Sequence, residues 1–186
     1  MTPLSGPREA QFDRLYALAR DPLARYLARR ASPDAVEDLF AEVMTVAWRR
    51  LEDVPADGEL PWLLGVGRRV LANHRRSQSR FGRLVERLTL TAPGADPRRP
   101  PFAAGDLDLD RAMARLPASD GEVLRMWAWE ELTPSEIGMA LGISANAASI
   151  RLHRAKGRLR GLLEAEPRKI SPFPGHQPGV ERKETR

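Results

Sequence analysis

Arg151, His153, Arg154 and Lys156 fall in one short run, RLHRAK, and a helix through it would carry cations and ring donors along one side. Guanidinium and ammonium groups pair with phosphates, while Arg, Asn and Ser side chains can reach base edges, so nucleic acid is the first ligand to consider. The stretch from Leu132 to Leu163, LTPSEIGMALGISANAASIRLHRAKGRLRGLL, supplies the elements that would position them. Thr133 caps a helix from Pro134 to Leu141, with Pro at the first helical position and Glu136 at capping-box spacing. Gly142 turns the chain at low steric cost, Ile143 plugs the space between two helices, and Ser144 caps a second helix from Ala145. Along it, Ala148, Leu152, Ala155, Leu159 and Leu162 make one apolar stripe at helical period. Asn146, Ile150, His153 and Arg154 point away from that stripe, and Ser149, Arg151, Lys156 and Arg158 flank it. From Ile143 to Leu163 there are five Lys or Arg and no acid, whereas Asp106 to Gly142 carries eight acids against three Arg. A merely solvated face would not need that division, which favours a polyanion as partner.

A second basic surface lies in Pro61 to Arg80, PWLLGVGRRVLANHRRSQSR. Leu63, Val66, Val70 and Leu71 face a core at helical period, leaving Arg68, Arg69, Arg75, Arg76 and Arg80 to project outward. Trp62 and His74 stand among them, and cations interleaved with flat rings suit a single strand whose bases are free to stack. Trp62 fits equally well as a core residue at a helix start.

The preceding stretch, DAVEDLFAEVMTVAWRRL from Asp34 to Leu51, is strongly amphipathic, with Val36, Leu39, Phe40, Val43, Val46 and Ala47 toward a core. Asp38 and Glu42 share the opposite face. They are either a solvated pair or half of an interface with a basic partner, in which case Met44 and Trp48 would supply apolar contacts.

Composition narrows the classes. The chain of 186 residues has 30 Lys plus Arg against 25 Asp plus Glu, a formal charge of +5, and no cysteine. That rules out a disulfide framework, a thiol nucleophile and Cys-ligated zinc, and fits a reducing compartment. No apolar run reaches membrane-spanning length, so no membrane insertion is expected and a cytoplasmic location is. The histidines, His74, His153 and His176, have no metal-ligand spacing, and no Gly-rich phosphate loop follows a strand. No metal, cofactor or enzymatic activity is therefore expected.

The predicted fold class is all-α, in two small helical domains joined by a Pro-rich linker, the C-terminal one a helix-turn-helix. Residues 1–90 form the first domain, 106–165 the second. The linker 91–105, TAPGADPRRPPFAAG, has four prolines, which remove backbone donors and disfavour helix before them. The tail 166–186 is poor in core-forming residues and is expected to be disordered.

Both blocks, in this order, resemble the extracytoplasmic-function (ECF) class of bacterial RNA polymerase sigma factors, over about Phe12 to Leu163. DAVEDLFAEVMTVAWRRL is similar to the family's core-binding helix, PWLLGVGRRVLANHRR to its promoter-melting helix, and LTPSEIGMALGISANAASIRLHRAKGRL to its upstream-element reader. The resemblance implies that Asp38, Leu39, Glu42 and Trp48 dock on core RNA polymerase. It implies that the loop Glu52 to Leu60 captures a flipped base of the melted strand, beside Trp62, Arg68, Arg69, Asn73, Arg75 and Arg76. Upstream promoter DNA would be read by Asn146, Ser149, Ile150, Arg151, His153, Arg154 and Lys156. An anti-sigma inhibitor is usual for the class, and a free monomer is expected. Arg69 stands where the family often has Asn, Asn73 where it has Asp, and Ser149–Ile150 where it has a cation followed by Ser; these departures bear on the promoter sequence read. A stand-alone helix-turn-helix regulator would instead predict a palindromic site and independence from polymerase. A mimic that sequesters an inhibitor would be expected to lose its basic surfaces, and these are intact.

Overall fold

The structure, a computed structural model, describes residues 6–89 and 107–165; linker residues 91–105 and tail residues 166–186, for which extension and disorder were expected, lie outside the described residues. Among the described residues there are seven α-helices, two short 3₁₀ turns and no strand, so the all-α expectation is met. The helices are α1 (Pro7–Ala28), α2 (Val36–Arg49), α3 (Glu59–Thr89), α4 (Leu107–Arg115), α5 (Ala118–Ala128), α6 (Pro134–Leu141) and α7 (Ala145–Ala165).

Helices α1, α2 and α3 pack together because each presents one apolar stripe. Leu15, Ala19, Leu23, Tyr26 and Leu27 of α1 meet Leu39, Val43 and Ala47 of α2 and Leu63, Val66, Val70 and Leu71 of α3, all buried. Pro61 sits in the first turn of α3, where no backbone donor is required, and the helix starts there without loss. In the second group, Met113, Val123, Leu124, Met126, Ile137, Ala148, Leu152 and Ala155 close the core of α4 to α7.

The two groups are not independent: their buried apolar side chains form one continuous cluster. The N-terminal half of α3 is buried on both sides, and Leu64, opposite the α1–α2 stripe, is fully enclosed. Its neighbour Gly65 lets α6 approach closely, since a Cβ there would stand 2.8 Å from the carbonyl oxygen of Ala140 and 3.2 Å from its Cα. The all-round apolar run Leu63–Leu64–Gly65–Val66–Gly67 is the sequence mark of this double burial.

Polar groups complete the seam. Arg30, just past α1, has a side chain only 4% exposed, and Glu130, just past α5, one only 5% exposed. Arg30 donates two hydrogen bonds to the Glu130 carboxylate, Nη1 to Oε1 at 3.0 Å and Nη2 to Oε2 at 3.2 Å, a fork geometry that suits guanidinium and carboxylate. Its Nε lies 3.4 Å from Oε1 of Glu122, and its guanidinium stacks 3.8 Å above the Tyr26 ring. Tyr26 donates its hydroxyl to the same Glu122 oxygen at 3.3 Å, and Arg29 Nη1 reaches Glu130 at 3.1 Å. Burial, then the Glu122 charge, pushes the Tyr26 hydroxyl above its ordinary value, so it stays a donor. For Arg30 burial works against the charge, but the nearby carboxylates Glu122 and Glu130, the latter also hydrogen-bonded to it, outweigh it and raise its pKa. The side chain of Glu130 is aimed by the turn after α5, where Glu131 adopts φ 55° and the Leu132 N–H returns to the Met126 carbonyl.

Removing one partner of a buried ion pair costs about 3–5 kcal/mol where the other charge cannot escape. Here Arg30 can rehydrate by separation of the two helical groups. Glu130→Ala is therefore expected to open the seam rather than unfold either group: small-angle scattering should show a larger radius of gyration with unchanged far-ultraviolet helicity. A compact mutant would show that the apolar seam alone suffices.

Candidate nucleic-acid interface

The helix-turn-helix forms as its sequence dictates. Thr133 Oγ1 accepts from the Glu136 N–H at 3.3 Å, and the Glu136 carboxylate accepts from the Thr133 N–H at 2.7 Å, a complete capping box over α6. Gly142 ends α6 at φ 69°, the left-handed region. Ser144 Oγ accepts from the Ala147 N–H at 3.1 Å and caps α7, and Ile143 packs half-buried against the core. Of the anticipated stripe, Ala148, Leu152 and Ala155 are buried and Leu159 and Leu162 half-buried.

The face opposite that stripe is open. Asn146, Ser149, Ile150, His153 and Arg154 are exposed, with Ile150 at 45% the most exposed large apolar side chain of the helix. The flanks differ from the sequence expectation. Arg158 is tied in an ion pair to the buried carboxylate of Asp120, so its charge serves the domain's own packing. The Lys156 ammonium rests 3.4 Å from the centroid of the Trp127 ring. Arg151 turns toward α3 and lines a cleft between the two groups.

On α3, Arg69, Asn73, Arg75 and Arg76 are exposed and Arg68 half-buried. Asn73 accepts a hydrogen bond from Arg76, and Arg75 Nη2 donates to the Arg30 carbonyl at 3.0 Å, so one donor of Arg75 holds the turn after α1. Trp62 is half-buried against the core with the Arg50 guanidinium 5.8 Å from its ring centroid, which joins its two sequence readings in one position. Between α1 and the loop before α3 lies a cavity of about 400 Å³ walled by Leu18, Val54 and Pro55 and edged by Arg14 and Glu59.

On α2, Asp38 and Glu42 lie exposed on one face, as their spacing predicts. Leu39 is 2% exposed and packs in the core, as its period predicts, while Met44, expected as an apolar contact for a partner, is buried as well and offers it no surface. Trp48 remains exposed, edge-on to Phe12 at 5.2 Å and beneath the Arg8 guanidinium. The clasp of Tyr26, Arg30, Glu122 and Glu130 was not anticipated. Tyr26 and Arg30 share a helix face by their four-residue spacing, but nothing local links them to acids about a hundred positions away.

Taken together, these elements define a two-part helical DNA-binding protein: a capped helix-turn-helix whose second helix carries no acid before Glu164, joined to a three-helix unit with a second basic surface. The family model for Sigma-70, region 4 matches residues 106–159. The RNA polymerase sigma-E factor of Streptomyces coelicolor is 31% identical over 166 residues, 83% of this chain and 87% of that protein. The ECF RNA polymerase sigma factor SigF of Caulobacter vibrioides is 33% identical over 147 residues, 76% of this chain and 78% of that one. Among solved structures, CnrH, in complex with the cytosolic domain of CnrY, has a similar fold (TM-score 0.56, 21% identity, 87% of this chain and 92% of that one). The sigma factor RpoE of Bartonella quintana, in complex with the anti-sigma factor NepR, has a TM-score of 0.55 at 22% identity, with 84% and 98% of the chains covered. The chain belongs to the ECF class of RNA polymerase sigma factors, the subunits that direct promoter-specific transcription.

Gly142 is the position on which the reader depends, because a side chain in the left-handed region costs about 1–2 kcal/mol. A Cβ at Gly142 would meet nothing within 4 Å, so the strain is conformational and not steric. Gly142→Ala should therefore lower the stability of the C-terminal unit by about 1 kcal/mol in chemical denaturation, and an unchanged midpoint would contradict this.

Proposed function

We propose that the chain binds core RNA polymerase through α2, reads an upstream promoter element with α7, and captures the melted non-template strand with α3 and the loop before it. The observation that carries this reading is the pairing of two exposed basic surfaces on separate helical units of one chain. A stand-alone regulator would need only the second.

The roles follow from the chemistry of each surface. Asn146, Arg154 and His153 can donate to base edges in a major groove that admits a helix, and Ile150 can pack on a thymine methyl. Ser149 can meet an adjoining phosphate, and Arg151 and Lys156 can reach others by swinging out of the cleft and off Trp127. On α3, Arg68, Arg69, Asn73, Arg75 and Arg76 follow a strand's backbone while Trp62 offers a ring at its upstream end. The cavity beside Leu18 and Val54 has the size and mixed walls to receive one extruded base. Extrusion costs a few kcal/mol, offset by these pocket and phosphate contacts, so melting by this route needs no nucleotide hydrolysis. Asp38 and Glu42, with Trp48, form an acidic face with one apolar anchor, suited to a basic partner helix on the polymerase.

Action on core polymerase implies a cytoplasmic location, and no helix among the described residues is long and apolar enough to cross a membrane. The complexes of CnrH with CnrY and of RpoE with NepR support an anti-sigma inhibitor as a further partner of this chain.

The decisive experiment is transcription by purified core polymerase on a library of genomic promoter fragments, with and without this chain. Start sites sharing an upstream and a melted element are expected; tight DNA binding without any effect on polymerase would establish the stand-alone regulator instead. Arg154→Ala is expected to weaken promoter binding about tenfold, the loss of one charge-assisted contact, with little change in folding. Unchanged affinity at moderate salt would remove it from the interface. Reversing Asp38 and Glu42 to Lys should abolish core association in pull-down while leaving the helix-turn-helix folded; normal association would exclude that face.

A further inference from the structure

The closed seam creates a cleft of about 320 Å³ between the two helical units, at the lower end of the size range of small-ligand pockets. Its walls carry four arginines, Arg30 and the turn beside it from α1, Arg68 and Arg75 from α3, and Arg151 from α7. Glu122 is the acid that lines it, and Glu130 binds Arg30 from behind. Two carboxylates against four guanidiniums leave two positive charges without a counter-charge among the described residues.

The surplus can be assigned to particular side chains. The charge of Arg30 is matched by Glu130 and Glu122, although its Nε, 3.4 Å from Glu122, makes no hydrogen bond, and Arg75 donates to the Arg30 carbonyl. Arg68 has a buried Nε with no acceptor among the described residues, and a buried donor left unpaired is costly, so an acceptor brought to it is favoured. Arg151, facing it from the recognition helix, has no acid within ion-pair distance there. The first turn of α5 also lines the cleft through Ala118 and Ser119, with Pro117 at its N-cap and no side-chain cap on its free N–H groups. Two unmatched guanidiniums and an uncapped helix start therefore converge on one small space, which suits an anion with several oxygen acceptors. The chain's own segments outside the described residues do not supply that anion: 90–106 carries two Arg and two Asp, and 166–186 has five Lys or Arg against three Glu.

We propose that this cleft binds a small polyphosphate, such as the di- or triphosphate part of a nucleotide, bridged between Arg68 and Arg151 across the seam. Because the two arginines come from different helical units, the ligand binds the closed arrangement and favours it by mass action. If the promoter reading above holds, the ligand also withdraws one cation from each DNA-facing surface. The binding itself does not depend on that reading and is measured without polymerase or DNA.

The test is calorimetric titration of the full chain with inorganic tripolyphosphate at moderate ionic strength. One saturable site is expected, weakened about tenfold or more by Arg68→Gln and by Arg151→Gln, since each removes a charge-assisted contact. Arg49→Gln, an exposed arginine of α2 outside the cleft, should bind as the unaltered chain does. Gly65→Leu, which forces α3 away from the Ala140 backbone, should lose the site while keeping its helical signal. Among the described residues Arg68 and Arg151 hold no ion pair that a Gln would break, and Arg151→Gln alone decides the matter should Arg68→Gln not fold. Absence of saturable binding, affinity in Arg68→Gln and Arg151→Gln equal to that of the unaltered chain, or full binding by an opened Gly65→Leu chain would each overturn the proposal.

Discussion

The arrangement of this sigma factor rests on burying one guanidinium between two helical units. Arg30 leaves water only because Glu130 offers a parallel pair of oxygens, Glu122 a third, and Tyr26 a ring face. A buried ion pair of this kind adds little net stability over an apolar substitute, but it punishes mispairing heavily. Its effect is on register: the Glu130 fork and the Glu122 contact are met together in the placement in which α6 lies against Gly65. The apolar seam supplies attraction, and the clasp supplies specificity.

This changes the meaning of the charge division along the chain. The acids between Asp106 and Gly142 contrast with the basic recognition helix, but several of them have structural partners of their own. Asp120 holds Arg158 of α7, Glu122 and Glu130 hold Arg30 and Arg29, and Glu136 caps α6. Acid is thus placed where it neutralises arginines needed for packing and kept off the face that carries Asn146, Ile150, His153 and Arg154. The result is that α3, the open face of α7 and the cleft between them each keep cations with no acid paired to them among the described residues.

What could be read from sequence was what depends on neighbours within a turn or two. The capping box at Thr133 and Glu136, the left-handed stop at Gly142, the Ser144 cap and the open face of α7 all follow from local spacing, and each stands in the structure as read. The helical stripes of α2 and α3 were legible for the same reason. Where a side chain's role depends on a distant partner, local spacing failed. Arg158 looked like a flank cation until Asp120 claimed it, Met44 looked available until the core closed on it, and Arg30 gave no signal at all. Leu64 and Gly65 were legible in principle, because an amphipathic helix that turns apolar on both sides must be covered twice.

The closed arrangement divides the two basic surfaces unequally. On α7 the face opposite the core stripe stays exposed, so upstream recognition on the proposed reading requires no separation of the units. On α3 the case differs: Leu64 and Gly65 are covered by α6, Arg68 is drawn into the cleft, and Arg75 spends a donor on the Arg30 carbonyl. On the proposed reading a strand following α3 must therefore compete with the seam for Arg68 and Arg75, whereas at α7 only Arg151 lies in the cleft. That asymmetry makes the closed form competent in one half and restrained in the other. Contacts that pull the two units apart, such as docking on polymerase through α2, would release the restrained half without touching the reader.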